Sequence, residues 1–119
     1  MIDYIPDGWI LCEIHGEKET FYKIFASWRG GYLTGDSWRM NSGVVRCEKE
    51  GKFYNFYGAS GSVYCCHEER YGHLGVYNNG VLSDYEKRSE GKLKAIPFLP
   101  DGLVDFEWSK PNDQARTTV

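Results

Sequence analysis

The sequence predicts an α+β domain, with a single antiparallel meander sheet of about five to seven strands and one helix near residues 80–90. Three observations predict it. Short apolar runs alternate with period two along much of the chain, as half-buried strands do. Turn chemistry separates them: Pro6-Asp7-Gly8, Gly16-Glu17-Lys18, Glu50-Gly51, Gly58-Ala59-Ser60-Gly61 and Pro100-Asp101-Gly102. One stretch, Gly80 to Glu90, has helix composition with helix end signals.

At 119 residues the chain fits one domain with a real core. Residues 1–108 carry the pattern. Residues 109–119 show none and are expected to form a frayed tail. The first strand runs from Trp9 to His15, with Ile10, Cys12 and Ile14 on one face and Trp9, Leu11, Glu13 and His15 on the other. Thr20 to Trp28 is the strongest strand. Tyr22, Ile24, Ala26 and Trp28 share one face, and Phe21 and Phe25, with Lys23 and Ser27, share the other. Such near-continuous hydrophobicity predicts a central strand covered on both sides.

Trp28 to Gly43 then reads as the one long loop. Strands follow at Val44–Lys49, Lys52–Tyr57 and Ser62–His67, and Glu68–Asn79 reads as irregular chain. In the helix, Asn79 can cap, Val81, Leu82 and Tyr85 share a face, Lys87 and Arg88 complement the dipole, and Gly91 stands at C′. An Asn79-Gly80 hairpin competes with it; Leu-Ser-Asp-Tyr-Glu-Lys-Arg favours the helix. Lys92–Ile96 is a sixth strand, and Leu103–Trp108 a last edge strand.

The net charge of −3 argues against a general nucleic-acid binder and is too small for an acidic DNA mimic. No apolar run reaches the roughly 18 residues of a membrane span. The N-terminus lacks the basic-then-apolar pattern of an export signal, so the expected location is the cytoplasm. Cys12, Cys47, Cys65 and Cys66 then read as buried free thiols.

Residues 28–43 concentrate the chemistry. Trp28, Tyr32 and Trp38 offer flat faces for a nucleobase-like ring. Arg29 and Arg39 offer forks for phosphate or carboxylate. Gly30 and Gly31 allow close backbone approach and an anion nest. Asp36 and Asn41 can read hydroxyls or base edges, and Ser60, in the second small-residue loop, can complete the pocket. The bland reading is that the tryptophans plug the end of the sheet, with the arginines lying over them. Gly58–Ser62 lacks the spacing of a phosphate or dinucleotide loop. Cys65-Cys66-His67, with His73, has zinc-ligand types, but adjacent strand residues face opposite ways. Neither a metal nor a cofactor is expected.

The runs Asp7-Gly8-Trp9, Glu19–Phe25 and Trp28–Gly43 resemble small accessory proteins encoded by tailed phages and prophages, over roughly residues 7–90. That family carries no fixed activity, so no residue role is transferred. The resemblance implies action in a host cytoplasm against host defences or enzymes. One mode is a sponge that sequesters a nucleotide immune signal, commonly as a homo-oligomer. The expectation is therefore non-enzymatic sequestration of a nucleotide-like, phosphate-bearing small molecule. The alternatives are a protein–protein inhibitor of a host protein using the same loop, and a small hydrolase or nuclease drawing on His67, His73 and Asp36.

Overall fold

In a computed structural model, residues 1–30 and 35–112 are described. They form eight strands in two antiparallel sheets and one α-helix. The first sheet holds β1 (Gly8–His15), β2 (Glu19–Trp28), β3 (Ser37–Met40), β7 (Leu93–Ala95) and β8 (Ser109–Pro111), in the order β3-β2-β1-β7 with β8 also on β2. The second holds β4 (Val44–Glu50), β5 (Phe53–Gly58) and β6 (Val63–His67). Helix α1 spans Val76–Arg88.

The expectation of a single meander sheet is corrected by this division. β1 is bordered by β2 and β7, while β2 takes β3 along its C-terminal half and β8 along its N-terminal half. β4 pairs with β5 and with neither central strand. The chain therefore leaves the sheet after β3 and begins a second layer. Gly43, at φ 130, makes that turn in a conformation open mainly to glycine.

The result is helix, sheet and sheet. The two faces expected of β1 and β2 are the faces that the fold uses. Trp9, Leu11, Tyr22, Ile24 and Ala26 meet Cys47, Tyr54, Phe56, Tyr64 and Cys66 of the second sheet, with Trp108 and Leu103 closing the layer. On the other side Ile10, Cys12 and Phe25 meet Leu74 and Leu82, with Trp38 and Val81 packed against them. Burial of these large side chains supplies the main stabilisation of the fold. Gly8 lets this packing close: a Cβ there would lie 1.7 Å from the His73 carbonyl oxygen.

Three further elements differ from expectation. The helix begins four residues early, at Val76 rather than Gly80, because Gly75 (φ 82) makes the entry turn. Asn79 lies inside it. Asn78 is fully buried and donates to Ser27 Oγ (2.7 Å) and the Ser37 carbonyl (2.9 Å), tying the helix start to β2 and β3. Leu103–Asp105 is a 3₁₀ turn, not an edge strand. Ser109–Pro111, expected in the loose tail, pairs with Glu19–Phe21.

Candidate functional site

A cleft of about 290 Å³ opens at one end of the molecule, where the two sheets meet. Ile5, Pro6 and Asp7, leading into β1, form one wall with Arg29, which follows β2. Phe53 of β5, His67 of β6 and Arg70, at the end of the 3₁₀ turn Glu68–Arg70, form the other.

Two indoles brace these walls. Trp9, fully buried, donates Nε1–H to the His67 carbonyl at 2.7 Å. Trp28 donates Nε1–H to the Ile5 carbonyl at 3.0 Å. The Arg29 amide donates to Asp7 Oδ2 (2.8 Å), and the Asp7 amide donates to the Ser27 carbonyl (2.9 Å), so the Asp7 turn is pinned to β2. The His67 ring stands edge-on to Phe53, with centroids 4.8 Å apart. Its Nδ1 accepts from the Glu69 amide at 3.1 Å, which leaves the proton of the neutral ring on Nε2.

The electrostatics are asymmetric. Among the described residues neither Arg29 nor Arg70 pairs with a carboxylate, whereas Arg46, Lys49, Lys52 and Arg88 do. Glu69 lies nearest in charge to Arg70 but is held by Lys52, whose hydrogen bond and charge are the main causes of its lowered pKa. The one carboxylate in the lining, Asp7, already accepts an amide. The cleft is thus lined by two arginines and one histidine in an overall acidic protein.

Of the described residues expected to bind a ligand, Arg29 alone lines this cleft; Trp28 hydrogen-bonds to Ile5 in its wall. Gly30 donates to Asp36 Oδ1 at 3.3 Å, so its amide faces a carboxylate rather than an open anion nest. Asp36 also lies beside Gly75 at the start of α1, where a negative charge complements the helix dipole. Gly31 and Tyr32 lie outside the described residues.

Trp38 and Arg39 sit on opposite faces of β3. Trp38 stacks on Phe25 at 5.4 Å and 9°, with Tyr85 of α1 against its edge. Arg39 lies over the Tyr4 ring at 4.7 Å. Asn41 is buried; its side-chain Oδ1 accepts from the Ile24 backbone N–H at 2.8 Å, and its own backbone N–H donates to the Ile24 carbonyl at 3.1 Å. Ser60 joins the two small-residue loops: its amide donates to Ser42 Oγ (2.9 Å), and that hydroxyl donates to Ser60 Oγ (3.1 Å).

Phe53, His67 and Arg70 were not part of the expected binding set. Arg70 follows two glutamates and reads in sequence as a solvated patch. Only the meeting of the two sheets turns it toward Arg29. Cys65 and Cys66 alternate across β6, Cys66 in the core and Cys65 on the outer face opposite Asn55. Among the described residues no group of His, Cys, Asp and Glu could hold a metal ion, and no helix is long and apolar enough to cross a membrane. Searches against protein families, curated proteins and solved structures gave no match.

Proposed function

We propose that the protein binds, without turnover, a nucleotide-like, phosphate-bearing small molecule in the cleft between its two sheets. Sequestration of such a signal as a counter-defence protein is the setting suggested by its resemblance to phage accessory proteins. The observation that carries the reading is that Arg29 and Arg70, which follow strands of different sheets, line one concave site and have no carboxylate partner among the described residues. A guanidinium fork matches phosphate oxygens bidentately. Phe53, Ile5 and Pro6 provide apolar surface for a ring. Among the described residues the lining contains no hydroxyl or thiol nucleophile, which favours binding over covalent chemistry.

Thermal shift against a panel of nucleotides tests this. At least one should raise the melting temperature, and Arg29→Ala and Arg70→Ala should each abolish the rise. A panel without effect, or a rise that survives both substitutions, refutes the reading.

A protein partner is the second reading, and a separate surface favours it. Val76 and Tyr77, adjacent at the start of α1, are 92% and 63% exposed. Co-purification of a host protein that is lost in Tyr77→Ser would favour it.

A further inference from the structure

Resting on that reading, we infer that the cleft takes a terminal phosphate monoester, and that cyclic phosphodiesters are poor ligands. Three features of the lining point there.

The first is the donor count. Arg29 and Arg70 each present a fork of N–H groups, and His67 adds Nε2–H because Nδ1 is taken by the Glu69 amide. A monoester offers three non-bridging oxygens and a charge between −1.5 and −2 at neutral pH. A diester offers two such oxygens and a single charge. Two forks with a third donor match the monoester in number.

The second is the acceptor side. Asp7 Oδ2 accepts from the Arg29 amide at 2.8 Å, which holds this carboxylate against the backbone while keeping it at the rim. A fixed negative charge beside the arginines weakens any anion. Two positive charges exceed that charge by one, so the attraction grows with the negative charge that the ligand itself carries. The dianion is thus attracted more strongly than a monoanion.

The third is size and shape. About 290 Å³ is at the lower limit of the ~300–1,000 Å³ of small-molecule sites. The described aromatic rings in the lining are Phe53 and the His67 imidazole, and these two face each other edge to face. Trp28, Trp38 and Tyr4 are engaged elsewhere, in the wall brace, the helix contact and the Arg39 contact. The described lining therefore offers apolar surface for one ring beside a phosphate, less than the two bases of a cyclic dinucleotide would cover.

Calorimetric titration with AMP, cyclic AMP and cyclic di-AMP, on the whole chain, distinguishes the outcomes. AMP is expected to bind at least about tenfold more tightly than either diester. Arg70→Ala should remove most of the binding, and Arg70→Lys, which keeps the charge but not the fork, should restore part of it. Among the described residues Arg70 has no ion pair that either variant would lose. Equal or tighter binding of a cyclic diester that still depends on Arg29 and Arg70 overturns the monoester inference and leaves nucleotide binding standing. No binding of any of the three, or binding indifferent to both arginines, overturns the nucleotide reading and the inference together.

Discussion

Trp28 and Trp38 are ten residues apart and similar in composition of surroundings, yet the fold uses them on opposite sides of the first sheet. Trp28 hydrogen-bonds to Ile5 at the cleft wall, whereas Trp38 lies flat on Phe25 beneath the helix. The arginines divide similarly. Arg29 faces the cleft, while Arg39 covers the Tyr4 ring, a cation–π contact worth about 0.5–1 kcal/mol when exposed. These placements separate stability from binding. Trp38→Ala should cost about 2–3 kcal/mol in denaturant unfolding, from lost packing against Phe25 and Tyr85, and should leave nucleotide affinity unchanged. A drop in affinity at unchanged stability would contradict this assignment.

At the scale of elements, the start of α1 is anchored by the Asn78 side-chain amide, and its later part by Glu86, whose Oε2 accepts from the Ala95 amide at 3.1 Å. The apolar contacts of the helix are few, Leu82 being the one buried hydrophobic side chain within it. Asn78 therefore carries much of the attachment, through Ser27 Oγ and the Ser37 carbonyl. Asn78→Ala removes two donated hydrogen bonds and leaves a cavity, for an expected loss of about 2–3 kcal/mol. Hydrogen exchange should show the effect first in α1 and β3, not in β4–β6; uniform acceleration would contradict a local anchor. A second clasp holds β8. Thr20 Oγ1 donates to Asn112 Oδ1 at 2.6 Å, and Asn112 Nδ2 donates to the Gly16 carbonyl at 2.7 Å. Thr20→Val should accelerate exchange at Lys110 and Asn112 while sparing β1; unchanged exchange there would show that Trp108, buried nearby, anchors the strand alone.

The alternation in β1 and β2 was legible because both strands are apolar on both faces and their side chains sort by parity. β3 was not, since Ser37-Trp38-Arg39-Met40 is short and half polar and becomes a strand by pairing with β2. The helix start was misplaced because Asn78-Asn79 resembles a cap, while the buried Asn78 is spent on tertiary contacts. The site was legible only at Arg29. The rest of the cleft depends on how two sheets meet, and nothing in the local sequence of His67 or Arg70 records that.

Across the whole molecule, buried phenols contribute to the response to alkali, alongside the buried thiols of Cys12, Cys47 and Cys66, which burial also pushes up. Tyr22, Tyr64 and Tyr71 are each pushed up to about 12, chiefly by burial, from an ordinary value near 10; Glu13 adds to the rise at Tyr22, and Arg39 opposes it at Tyr64. The folded state keeps protons that the unfolded chain releases. Stability from this source is therefore intact below about pH 10 and declines as pH rises from about 10 towards 12. Unfolding midpoints measured across that range should fall, and fall less in Tyr71→Phe. A flat profile would contradict the burial of these rings.

The central claim is that the ligand occupies the seam between the sheets. Amide chemical-shift mapping with AMP tests it most directly. The account predicts perturbations centred on Asp7, Arg29, Phe53, His67 and Arg70, with β3 and the Gly58–Gly61 loop little affected. Perturbations centred instead on Trp38 to Asn41 and Ser60 would place binding on the composition-rich loop and contradict it.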